Sequence, residues 1–110
     1  MMIWTRNLPK HGDITEGNYV DSCGSSVDAV ATLKIGGGAT WSDAYGAVGG
    51  DYHIVGGGCL TVSAAGGWLQ GGGLSSTARK YGIGVDNVLS MDVVLSNGTQ
   101  VVADACSEPE

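Results

Sequence analysis

The chain has 110 residues, a formal net charge of −6 and a pI near 4.5, which is enough length for one small domain and not two. Its five basic residues, Arg6, Lys10, Lys34, Arg79 and Lys80, are scattered. With no basic stripe to neutralise phosphates, neither nucleic acid nor an anionic membrane surface is an expected partner. No stretch approaches the roughly 18 apolar residues of a transmembrane helix, and the opening MMIWTRNLPKHGD lacks the apolar region of a signal peptide.

Taken in chain order, residues 1–26 are rich in turn formers (Asn7, Pro9, Gly12, Gly17, Gly24) and weakly periodic, so a short strand or an irregular arm is expected. From Ala29 to Ile35 the chain alternates, with Ala31, Leu33 and Ile35 on one face and Thr32 and Lys34 on the other. That pattern predicts a half-buried strand, ended by Gly36-Gly37-Gly38. A helix is predicted next: Trp41, Ala44, Tyr45 and Val48 share one apolar face. Thr40 and Asp43 have the spacing of a capping box, and Gly49-Gly50 supplies the stop. His53–Val55 reads as one short strand. Residues 62–70 suggest a small-residue helical turn ending at Gly71, and Ser75–Tyr81 another. Asn87–Asp104 reads as a hairpin, in which Leu89, Met91, Val93 and Leu95 alternate with Ser90, Asp92 and Ser96. Asn97-Gly98 carries the signature of a two-residue type I′ turn, and Thr99–Ala103 returns. The tail SEPE is polar and expected to fray. The sum is an α+β chain.

Glycine sets this chain apart. It makes up 20 of the 110 residues, and 16 of those lie between Gly36 and Gly84. The stretch GGGCLTVSAAGGWLQGGG at residues 56–73 holds three glycine clusters around one cysteine and one tryptophan. Glycine loses the most conformational freedom on folding and offers no side chain to bury. Such density points to backbone that must approach something closely, and a flat, partly charged cofactor is the simplest candidate. The stretch GIGVDN at residues 82–87 lacks the third glycine of a dinucleotide fingerprint, and no P-loop is present. A Rossmann domain and a P-loop are therefore disfavoured.

The side chains that could carry chemistry are few. Cys59 is either a buried apolar thiol, the commoner state of a free cysteine, or a thiolate on an exposed loop. A thiol hydrolase would need His53 as its base, and no third group is identifiable. A zinc site drawing on Cys23, Cys59, Cys106, His11 and His53 matches no known spacing. Trp41 and Trp68 read as packing anchors. Asp86 and Asn87 are turn residues or ligand contacts. Three cysteines leave at least one thiol free if a disulfide forms, and pairing of Cys23 with Cys106 stays open. Asn97-Gly98-Thr99 is also a glycosylation sequon, which counts only if the chain is secreted.

The run GGGCLTVSAAGGWLQGGGLSSTARKYGIGVDNVLSMDVVLSNGTQVV resembles the second half of the FAD-binding domain of the vanillyl-alcohol-oxidase/PCMH superfamily. The nearest branch is the berberine-bridge-enzyme-like oxidases. The likeness runs from about Leu33 to Cys106 and includes IWTRNL near the start. It implies part of a PCMH-type FAD-binding domain, with a mixed sheet, short helices and a C-terminal β-hairpin. Residues 1–28 would be an irregular arm, 29–105 the partial domain and 106–110 a polar tail. The resemblance implies an FAD-dependent oxidoreductase, oxidising an alcohol, sugar or alkaloid in the complete relative, with this chain as a fragment or truncated product. A non-catalytic glycine-rich remnant, or a binding domain without flavin, is the alternative.

By the same resemblance, Cys59 would form a thioether to the flavin. Thr61, Val62, Gly66, Gly67, Gly71, Gly72 and Gly73 would let backbone approach it, Asp86, Asn87 and Val88 would flank it, and Val101 and Val102 would touch its other end. Bare amides can cradle phosphate where glycine permits the approach. Relatives carry a flavin-linking histidine upstream of the IWTRNL-like segment, so a second covalent link is not expected here. Some relatives have histidine at the place of Trp68 or Leu74, and this chain has neither. Its metal complement is expected to be none, and relatives are often secreted. An exposed Cys59 on glycine-lined backbone would favour the flavin reading, and one sealed behind Trp68 and Val62 would count against it. Loss of part of a shared core would expose apolar surface, so self-association is expected.

Overall fold

Thr40 opens the longest helix in the chain for the reason its sequence suggests. In this computed structural model, which describes residues 2–10 and 12–107, α1 spans Trp41–Val48. The Thr40 side chain accepts from the Asp43 amide, and the Asp43 carboxylate accepts in return from the Thr40 amide at 2.8 Å, so the capping box is complete. Gly49 at φ +65 closes the helix and donates its N–H to the Tyr45 carbonyl.

The chain forms two compact units interleaved in sequence. The first contains the residues up to Thr15 together with Leu33–Asn87; the second contains Glu16–Thr32 and the residues from Val88 onward. In the first unit the strands β1 (Gly12–Glu16) and β4 (Ala31–Ile35) pair, both running across the boundary of the unit at one end. Lys34 points to solvent while Leu33 and Ile35 pack against the core, as the alternation requires. That core is small: Trp41, Ala44 and Ala64 at its centre, with Leu33, Ile35, Tyr45, Ile54 and Trp68 around it. Two short helices complete the unit, α2 (Gly67–Gln70) and α3 (Ala78–Tyr81), both shorter than the segments expected from sequence.

The second unit holds the antiparallel pairs β2 (Tyr19–Val20) with β3 (Ser26–Val27) and β5 (Ser90–Val94) with β6 (Gln100–Asp104). Among its described residues the one buried side chain is a carboxylate, Asp104, at 9% exposure, and not a hydrophobe. The carboxylate accepts from the amides of Ser22, Cys106 and Ser107 at 2.8–2.9 Å and from the hydroxyls of Ser22 and Ser107. These bonds hold its pKa far below the usual carboxylate range, the Ser107 amide contributing most. Beside this knot, Cys23 and Cys106 form a disulfide across 83 residues, which settles the pairing left open by sequence.

Four expectations are corrected. Among the described residues the strands form three separate two-stranded pairs and not one mixed sheet. The first 28 residues carry β1, β2 and β3 besides a 3₁₀ turn at Thr5–Asn7. His53–Val55 forms no strand pair, and Gly56 and Gly57 immediately after it are lodged against aromatic rings instead of a ladder. The hairpin turn has three residues and not two: Leu95 N–H donates to the Thr99 carbonyl, Gly98 N–H donates to the Leu95 carbonyl, and Gly98 has φ +86. That is a type I turn followed by a glycine bulge, the usual three-residue solution. His11 and the tail beyond Ser107 lie outside the described residues. Among those described, no helix is long and apolar enough to cross a membrane.

Candidate functional site

The chemistry-bearing loop follows from how α1 is buried. The Trp41 side chain stacks on Tyr45 (ring centroids 5.5 Å apart) and meets Trp68 edge-to-face at 4.7 Å. Backbone must then pass over these rings with no side chain of its own. A Cβ on Gly57 would sit 2.7 Å from Trp41 Nε1 and 2.9 Å from Trp68 Nε1; one on Gly73 would sit 2.6 Å from Trp68 Cζ3. Gly56 and Gly84 are equally closed, against Trp41 and Trp68 respectively. Tyr45 fixes the loop by donating its hydroxyl to the Gly57 carbonyl at 2.8 Å, and burial raises its pKa.

Beyond Gly57 the loop turns outward. Gly58 has open space where a side chain would be, and Cys59, Leu60 and Thr61 are exposed. The loop is tied back by Trp41 N–H donating to the Val62 carbonyl, Ser42 N–H to the Leu60 carbonyl and Ala64 N–H to the Ala39 carbonyl. The amides of Gly58, Cys59 and Leu60 donate to no acceptor among the described residues. An exposed N–H group without an internal partner can donate to an oxyanion or a carbonyl of a ligand. The Cys59 sulfur lies 3.7 Å from Thr61 Oγ1. Its pKa is held below the ordinary thiol value, first by the Thr61 hydroxyl and then by the amides of Thr61 and Val62. Lowering of this kind raises the thiolate fraction, and the thiolate is the nucleophile.

The remaining expected residues divide. Val62 is exposed and Gly66 half-buried, where a Cβ would meet Ser63 Oγ at 3.0 Å. Gly67 begins α2 and is open; Gly71 caps it. Gly72 and Gly73 take φ +93 and +77, conformations closed to most side chains. Asp86 accepts from the Ile83 amide at 2.9 Å, and Asn87 Nδ2 donates to the carbonyls of Tyr81 and Ile83. Both therefore brace the turn after α3. Val88, Val101 and Val102 belong to the other unit. There Val101 and Val102 help line an open hollow of about 360 Å³ on the hairpin, with Asp92, Val93, Val94 and Gln100.

Two further candidates end here. Cys23 and Cys106 are joined to each other, which removes them as zinc ligands, and no metal-competent cluster of His, Cys, Asp or Glu exists among the described residues. The partner of the Cys59 sulfur is Thr61, and among the described residues no hydrogen bond joins it to His53. What sequence reasoning missed is the free amides of Gly58 and Leu60. Their signal was the triple glycine before the cysteine, which also hides the second duty of Gly56 and Gly57 as rests for Trp41.

Buried polar atoms without partners bear on whether a group could dock here. Trp41 Nε1 and Ser63 Oγ are buried and unbonded, and Trp41 is only 4% exposed. An unused buried donor costs roughly 1–3 kcal/mol, so this corner of the first unit carries polar capacity that its own chain leaves unmet.

A model of the FAD binding domain family matches residues 18–104. The chain is 43% identical over 89 residues to the FAD-linked oxidoreductase easE of Aspergillus fumigatus, an alignment covering 79% of this chain and 14% of that protein. It is 40% identical over 112 residues to the FAD-linked oxidoreductase apf9 of Gibberella fujikuroi, covering 100% of this chain and 19% of the relative. It is also 42% identical over 77 residues to the FAD-dependent monooxygenase tpcD of Cochliobolus heterostrophus, covering 70% and 15%. The chain thus spans less than a fifth of the length of these relatives. No solved structure matches it significantly.

Proposed function

This chain belongs to the FAD binding domain family, and from that premise we propose that it forms the flavin-holding part of a PCMH-type FAD-linked oxidoreductase, with Cys59 as the attachment point. The single observation that carries the reading is the state of Cys59: exposed, hydrogen-bonded by Thr61 in a way that favours the thiolate, and flanked by three unpaired amides. The residues present fit such a group. Gly58 and Gly67 leave room for a flat ring to lie on backbone, and the amides of Gly58, Cys59 and Leu60 can receive its electronegative atoms. Thr61 orients the sulfur. Gly72 and Gly73 take left-handed conformations after α2, and their carbonyls accept from the amides of Val85 and Gly84. Asp86 and Asn87 stiffen the turn after α3.

When bound, FAD supplies the hydride acceptor, and the protein's share is binding, orientation and electronic tuning. The substrate in the whole protein is a small molecule of alcohol, sugar or alkaloid type. No residue of this chain is assigned as its general base.

The test is a visible absorption spectrum of the purified chain incubated with FAD, before and after acid precipitation. Flavin should stay with the precipitated wild type and wash out of Cys59→Ser. Flavin that binds but washes out of both would remove Cys59 from the attachment role, and absence of binding would refute the holding role itself.

We also propose that the chain associates with itself when nothing covers it. Leu74 is 80% exposed, Tyr81 53% and Leu60 52%, and burying such apolar side chains against a second copy favours association. Sedimentation should show concentration-dependent association, and a monomer at all concentrations would refute this.

A further inference from the structure

We propose that Asn97 is a modification site that accepts an N-linked glycan, and that the chain reaches its folded state in the oxidising lumen where such glycans are added. Two independent observations in the second unit meet here. The first is the sequon itself: Asn97-Gly98-Thr99 is the one Asn-x-Ser/Thr triplet in the sequence, and its middle residue is not proline. The second is the disulfide between Cys23 and Cys106, a bond that persists in secretory and extracellular compartments and is rare where glutathione keeps thiols reduced. The disulfide says nothing about Asn97 directly. It supplies the compartment without which the sequon is only a turn.

The turn geometry leaves the reacting nitrogen without a structural duty. Asn97 is exposed at the tip of the β5–β6 hairpin, and Thr99 beside it is exposed as well. The structural duty of Asn97 rests on its oxygen, since Oδ1 accepts from the Thr99 amide at 2.9 Å. Its nitrogen Nδ2 has no partner among the described residues. N-glycosylation uses that nitrogen and leaves the oxygen in place. Nδ2 bonds to the anomeric carbon of an oligosaccharide carried on a lipid pyrophosphate. The carbon–oxygen bond to the pyrophosphate breaks, the pyrophosphate leaves with the electron pair, and the amide gives up one proton. The turn keeps its Asn97–Thr99 bond throughout.

A glycan here would also change the surface next to it. Val94 is 64% exposed and Leu95 45% exposed, both immediately before the tip, and a bulky hydrated group on Asn97 would screen them from other apolar surfaces.

The experiment takes the protein from the cells that express it and compares its intact mass before and after peptide N-glycosidase. A fall in mass with conversion of Asn97 to Asp is expected, together with resistance of Cys23 and Cys106 to alkylation until reductant is added. Recovery of unmodified Asn97 would overturn the proposal. In the same cells Thr99→Ala and Asn97→Asp should both run at the deglycosylated mass, and Thr99→Ser should keep the glycan. Asn97→Asp retains an acceptor oxygen for the turn, so its result stands even if Thr99→Ala fails to fold. A mass shift surviving in either variant would place the modification elsewhere and overturn the assignment.

Discussion

Trp68 shows what a single residue can demand of a chain. Its ring is bracketed by Gly73 and Gly84, each of which would drive a Cβ into it. Gly84 has an ordinary φ, since it is absent from the positive-φ glycines, so Gly84→Ala tests packing and not backbone strain. Overpacking of this kind costs about 1–3 kcal/mol, and a thermal melt followed by tryptophan fluorescence should show that loss. Sequence density alone could not assign these glycines. Gly56, Gly57, Gly73 and Gly84 serve the indoles, while Gly58 and Gly67 face open space; the letters are the same, and only the neighbours differ. Cys59 was equally ambiguous, because the hydrogen bond that exposes its character comes from a residue two places away.

Asp104 carries a pH prediction. Its folded pKa lies below the unfolded value near 3.9, so its contribution to stability is complete well above that value and is lost as the pH falls through it toward the folded pKa. The amides of Ser22, Cys106 and Ser107, which all donate to it, should lose hydrogen-exchange protection together below about pH 4. Asp104→Asn should lower their protection at pH 7 and remove most of this pH dependence. Unchanged protection in the variant would show that the backbone, and not the carboxylate, holds the knot.

At the scale of elements, α1 was legible almost to the residue, because its start, face and stop were each written locally: Thr40 with Asp43, the Trp41–Ala44–Tyr45–Val48 stripe, and Gly49. Thr40→Ala removes one half of the box and should destabilise the first unit by about 1 kcal/mol, read as a shift in the urea midpoint. The hairpin was legible in its strands and wrong in its turn. Asn-Gly favours a two-residue loop only when both central residues take positive φ. Here the Thr99 amide bonds to Asn97 Oδ1, and the loop widens by one residue so that Gly98 alone bulges. His53–Val55 failed as a strand because pairing depends on a partner, and nothing within three residues can announce one.

The molecule as a whole solves its stability problem twice. The first unit has a true apolar centre around Trp41 and Ala44. The second has none among its described residues, and relies on the Asp104 knot and the Cys23–Cys106 bond. A cross-link closing a loop of this length lowers the entropy of the unfolded chain by roughly 4–5 kcal/mol in the loop-closure description. Reduction, or Cys23→Ser with Cys106→Ser, should therefore release amide protection throughout β5 and β6. The protection of α1 should fall less, since its core contains no part of that bond. Equal loss in both units would mean that they fold as one. Interleaving of this kind escapes a linear reading of the sequence: the breaks at residues 15, 32 and 87 follow no change in composition.

Every tryptophan of the chain lies in the first unit, and two of them touch with their rings steeply inclined at 78°. Their electronic transitions couple, so an ultraviolet circular-dichroism couplet belongs to that unit and to no other part of the molecule. The contact that forced glycine on the backbone thereby gives the chain an optical clock, by which assembly around Trp41 can be timed separately from closure of the disulfide.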